Sequence, residues 1–149
     1  MSGEQTVKMD VSGMEDLQEA LVTLAGRYPD KAGDLLRKDG RSLRKMIAKE
    51  ARQQTDTNES HKMSLGKIGS YNVSEVKGLG THQYVEISAK APHFHLVENG
   101  HMMKTKSGKT VGFVVGVHFL DKATKEYKND MPEHVENMVD ELLKEAGLI

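Results

Sequence analysis

The chain has 149 residues, a formal net charge of -1 and no cysteine. Disulfide staples, thiolate metal sites and a cysteine nucleophile are therefore excluded, and no overall basic balance favours nucleic acid. Hydrophobic residues make up 37% and aromatics 5%, with no tryptophan, so one thin core of Leu, Val, Ile, Met and Ala is expected, completed in part by partner subunits.

The first twelve residues are polar and read as a lead-in or short strand. They lack the basic and apolar regions of a leader, and no run approaches the ~20 apolar residues that span a bilayer. The expected product is made in the cytoplasm and has no membrane segment. Ser12 suits a helix N-cap, with Glu15 as its capping-box partner. Met14, Leu17, Leu21 and Leu24 then recur at helical spacing, widened by Ala20 and Ala25. Pro29 is expected to end this helix.

A second helix is expected from Asp30 to Gln54, through Ala32, Leu35, Leu36, Leu43, Met46, Ile47 and Ala51. Gly40 marks a place for a bend or break. Between Lys31 and Arg52 the bases are Lys31, Arg37, Lys38, Arg41, Arg44, Lys45, Lys49 and Arg52, against Asp34, Asp39 and Glu50. Residues 121–145 reverse that balance, with Asp121, Glu126, Asp130, Glu133, Glu136, Asp140, Glu141 and Glu145 against four lysines. Such opposite blocks either favour head-to-tail contact between copies or form solvated helix faces.

Residues 55–69 are polar and glycine-punctuated, and read as an exposed loop. The period then becomes alternating. Tyr71, Val73 and Val76 form one strand, Gly78-Leu79-Gly80 a turn, and Tyr84 to Ser88 a second strand with Val85 and Ile87 on one face. Ala91 to Gly100 reads as a short helical turn, residues 101–110 as a mobile basic loop, and Val111 to Val117 as a third strand. The last segment reads as two helical pieces interrupted at Pro132, with Val135, Met138, Val139, Leu142, Leu143 and Ala146 on one stripe and Gly147 as the stop. The fold class is α+β: a small antiparallel sheet of three or four strands packed with N-terminal helices and a long C-terminal helix. It forms a single domain over residues 1–149, with exposed loops near 55–69 and 101–110.

No catalytic constellation accompanies these elements. His93-x-His95, followed by His101 and His118 with Glu98 nearby, could place imidazoles around Zn²⁺ or Mn²⁺. A His-Glu-x-x-His helix, a paired-aspartate site and a readable outer carboxylate are all missing, so packing or exposed histidines are the simpler account. Ser64, Ser70, Ser74 and Ser88 lack a Gly-x-Ser-x-Gly elbow. Gly66 to Gly69 and Gly78 to Gly80 read as turns rather than phosphate loops. Lys104, Lys106 and Lys109 could meet phosphates, but no aromatic is interleaved for base stacking. Met14, Met46 and Met138 read as core filler, whereas Met102 and Met103 in a polar stretch suit a partner contact.

The run Ala91-Pro-His-Phe-His-Leu-Val-Glu-Asn-Gly-His101, followed by His118-Phe-Leu-Asp121, resembles the neck, or tail-completion, proteins of tailed bacteriophages. In that family a run ending in Val-Glu-x-Gly precedes a variable loop, and a Phe-Leu pair opens the last helix. Asn99-Gly100-His101 stands here where Gly-Thr is usual after the Glu, and Lys62 to Gly66 replaces the usual Thr-Gly-x-Leu. The resemblance spans roughly residues 10–147. It implies a structural virion protein, not an enzyme, with no catalytic residue and no cofactor or metal. Such a head–tail connector forms a ring, commonly six-fold, between head-closure proteins and the tail-terminator or tail-tube proteins. Genomic DNA passes through its channel without specific reading.

The residues expected at interfaces are Glu98, Asn99, Gly100, His101, Met102, Met103, Lys104, Lys106, Lys109 and Phe119. The helices over 31–52 and 121–145 are expected to pack between subunits. Three other readings stand beside this one: a tail terminator capping the tube, a metal-dependent hydrolase using His93, His95 and His118, and a nucleic-acid-binding accessory protein using the basic helix.

Overall fold

The computed structural model describes Gly3, residues 12–54 and residues 64–149. The expected lead-in over 1–12, the Ser12 cap and the loop over 55–63 lie outside the described residues or side chains. Helix α1 runs from Ser12 to Gln54, strand β1 from Tyr71 to Val73, and β2 from Ile87 to Ala89. Helix α2 (Phe94–Asn99), strands β3 (Gly100–Lys104) and β4 (Thr110–Val115) and helix α3 (Phe119–Glu145) follow. The class is α+β, with long helices at both ends of the described chain. In place of one sheet of three or four strands there are two separate antiparallel pairs, β1–β2 and β3–β4.

Neither proline breaks its helix. Pro29 lies inside α1 and Pro132 inside α3, although each withholds one N–H from the helical ladder. Tertiary contacts lie on both sides of each proline. Glu145 meets Arg27 at 2.8 Å and Lys31 at 2.9 Å, so one carboxylate grips α1 before and after Pro29. Asp39 likewise holds Tyr127 and His134, which flank Pro132.

The same contacts show α1 and α3 running antiparallel. The end of α3 lies against Arg27 and Lys31, while its first turns pack Phe119 and Ala123 against Ile47, Ala48 and Ala51. The basic and acidic helices therefore meet within one chain. Their ion pairs at Lys31 are exposed, which limits what they add to stability in salt.

Gly40 is no hinge. It is buried where α1 passes the β1–β2 pair, and a Cβ there would lie 2.9 Å from Val73 Cγ1 and 3.3 Å from Val85 Cγ2. The β1–β2 register pairs Tyr71 with Ala89 and Val73 with Ile87, and a Lys77–Tyr84 bridge lengthens the hairpin toward its turn. Just before β1, Ser64, Leu65 and Gly66 are buried rather than exposed. The Tyr71 hydroxyl donates to the Leu65 carbonyl at 2.7 Å and fastens this segment to the core. Phe94 adds an edge-to-face contact with Phe119, with centroids 5.6 Å apart. Gly147, at φ +73°, closes α3 in the left-handed turn that a glycine stop supplies.

Candidate functional site

The Val97-Glu98-Asn99-Gly100 segment builds an anchor between α2 and α3. Glu98 is 6% exposed, and its two carboxylate oxygens accept the backbone N–H groups of Leu120 and Asp121 at 3.0 and 3.1 Å. An anionic group thus satisfies two donors that the first turn of α3 leaves free, at the positive end of the helix dipole. The Val117 and His118 N–H groups donate to the carbonyls of Val97 and Glu98. His118 adopts the left-handed conformation at φ 53° to turn the chain into α3.

Two glycines let the backbones meet at this anchor. Gly100 has φ +85°, and a Cβ on it would fall 2.4 Å from the Val114 carbonyl oxygen. A Cβ on Gly116 would fall 2.4 Å from the Glu98 carbonyl oxygen.

From this base the β3–β4 hairpin projects into solvent. The stretch expected as a mobile loop over 101–110 is half strand and half turn, with Met102 opposite Phe113 and His101 opposite Val114. Its turn carries its own bonds: the Gly108 N–H donates to the Thr105 carbonyl, and the Thr105 hydroxyl reaches Ser107. Every residue from Met102 to Val115 is exposed. On one face the facing pair Met102 and Phe113 exposes 54% and 57% of its surface and Val115 exposes 77%, while Val111, at the register shift of the ladder, exposes 58%. Met103 and Val114 are exposed on the other face. A two-stranded hairpin is marginal in water on its own, and one with apolar side chains on both faces needs a covering surface.

The expected interface residues thus divide. Asn99, Met102, Met103, Lys104, Lys106 and Lys109 are exposed, and His101 and Gly100 are half-buried at the hairpin base. Glu98 is turned inward as a cap, and Phe119, 0% exposed, belongs to the core. Phe119, expected at an interface, instead packs with Ile47, Ala48 and Ala51.

A second exposed apolar surface lies at the start of α1, where Met14, Leu17, Leu21 and Val22 are all exposed. Met14 is not core filler. Met46 packs against the core and Met138 is half-buried.

Sequence reading missed one polar cluster between α1 and α3. Asp39, 5% exposed, accepts the Tyr127 hydroxyl at 2.6 Å and meets His134 Nδ1 at 2.8 Å, while its Oδ2 has no partner among the described residues. Burial, then the hydrogen bond to Asp39, holds the Tyr127 phenol above its ordinary pKa. A cleft of about 430 Å³ opens beside it, lined among others by Lys31, Lys38, Ser42 and Glu141. The signal was present in the sequence: Asp39 interrupts the apolar stripe that runs through Leu35, Leu36 and Leu43.

His93, His95 and His118 are exposed, with His93 just before α2 and His118 just before α3. Among the described residues no group of three or more His, Asp or Glu side chains is arranged to hold a metal ion. No helix among them is long and apolar enough to cross a membrane. Comparison with models of known protein families, with curated proteins and with solved structures found no match.

Proposed function

We propose that this chain is a structural subunit of a tailed-phage neck, forming a ring that joins the DNA-filled head to the tail. One observation carries the assembly part of this reading. The β3–β4 hairpin is hydrogen-bonded at its base to the start of α3 yet exposes apolar side chains on both faces, a surface that a subunit interface would cover. The neck position rests on the Val97-Glu98-Asn99-Gly100 and Phe119-Leu120 resemblance. The anchor supports it in physical terms, because the motif residues bond the base of the hairpin to the start of α3.

In this reading the mechanism is geometric. Copies close a ring through heterologous contacts, and hairpins seat against neighbouring rings of head-closure and tail proteins. DNA passes through the channel without specific contacts. Imaging particles made without this protein tests the role. Filled heads and finished tails that fail to join are expected, whereas normal joined virions would refute it.

A further inference from the structure

The two exposed apolar surfaces lie at opposite ends of the subunit. Leu21 is on the segment of α1 that precedes its contact with the end of α3, whereas Ala51 is in the core beside Phe119, at the hairpin end. At ~1.5 Å per residue the helix separates Leu21 from Ala51 by about 45 Å. The hairpin and the start of α1 therefore do not meet within one molecule.

Their chemistry is complementary. Residues 12–26 carry Glu15, Asp16 and Glu19 and no Lys or Arg. Residues 99–115 carry Lys104, Lys106 and Lys109 and no Asp or Glu. Each also presents a line of apolar side chains, Met14, Leu17 and Leu21 on the helix and Met102, Phe113 and Val115 on the hairpin. The lengths agree as well. Residues 12–26 span about 22 Å as helix, and five or six strand residues span about 17–20 Å.

We infer that the β3–β4 hairpin of one copy docks on the Met14, Leu17 and Leu21 face of the α1 segment over residues 12–26 of a second copy. This rests on the assembly reading above and specifies its subunit contact. The contact is head-to-tail, so it closes into a ring or extends as a filament according to the rotation between copies. Apolar burial supplies the attraction, and opposite charge sets direction and partner choice.

A charge-swap pair tests it. Variant one carries Glu15→Lys, Asp16→Lys and Glu19→Lys. Variant two carries Lys104→Glu, Lys106→Glu and Lys109→Glu. All six positions are exposed, and circular dichroism checks that each variant folds. In sedimentation velocity at low salt the wild type is expected to self-associate, and each variant alone to associate at least about tenfold more weakly. An equimolar mixture should regain the wild-type distribution, because every junction in an alternating assembly again pairs opposite charges. A wild type that stays monomeric at millimolar concentration overturns the contact, as does a mixture no better than either variant. Wild-type association that neither variant weakens also overturns it while leaving the ring reading intact. Loss of the neck role is read separately, from particle images.

Discussion

Glu98 and Leu120 are joined across 22 residues of sequence by one charge-assisted bond, carboxylate to backbone N–H, at 3.0 Å. With its companion bond to Asp121, it makes a motif glutamate the cap of the last helix. The hairpin lies between the two ends of that link.

Glu98→Ala should therefore destabilise the monomer by about 1–3 kcal/mol, the cost of leaving buried donors unpaired. Glu98→Gln should cost less, because one amide oxygen still accepts. Chemical denaturation of both variants checks this. A wild-type midpoint for Glu98→Ala would mean that the residue serves only an external contact.

Gly116→Ala should disrupt the anchor. The added Cβ would fall 2.4 Å from the Glu98 carbonyl oxygen, which is backbone and cannot rotate away. An overpacking cost of about 1–3 kcal/mol is expected. Gly112→Ala, on the open hairpin with nothing within 4 Å, is the control and should leave the melting temperature near wild type.

Asp39 should couple Tyr127 and His134 energetically. Asp39→Ala leaves the Tyr127 hydroxyl without its acceptor and should cost about 1–3 kcal/mol. A double-mutant cycle of Asp39→Ala with Tyr127→Phe should show an interaction energy of about 0.5–3 kcal/mol. Strictly additive losses would mean that the short bond contributes nothing specific.

Alkaline pH should unfold the protein through its buried phenols. Burial raises the Tyr71 and Tyr127 pKa values in the folded state above the ordinary 10.0. Folding then favours the protonated phenols, and the unfolded chain releases those protons first. This stability is complete below the unfolded pKa and is lost as pH rises through the folded values. Urea midpoints measured between pH ~9 and ~11 should fall, and the fall should be shallower in Tyr71→Phe.

Much of this was legible in the sequence, and the failures share one cause. The stripe through Ile47 and Ala51, the Tyr71–Ile87 hairpin, the turn closed by Gly100 and the stop at Gly147 follow from local pattern and turn chemistry. Pro29 and Pro132 read locally as breaks, and local pattern does not show that Glu145 and Asp39, far away in sequence, contact the helix on both sides of each. Gly40 was misread for the same reason, since its missing Cβ makes room for Val73 and Val85. The hairpin over 100–115 was obscured because lysines and a glycine-containing turn mask strand alternation, and no sequence rule shows that both its faces stay open. Phe119 and Glu98 were assigned outward because a motif does not reveal which way its side chains turn.

The central claim is that this chain works through surfaces it offers to other subunits, the hairpin above all. A cryo-electron reconstruction of the assembled particle tests it most directly. The account predicts density for this chain as a ring between head and tail, with Met102 and Phe113 buried against the α1 segment of the adjacent copy. A particle that lacks the chain, or one in which the hairpin stands free in solvent, would contradict it.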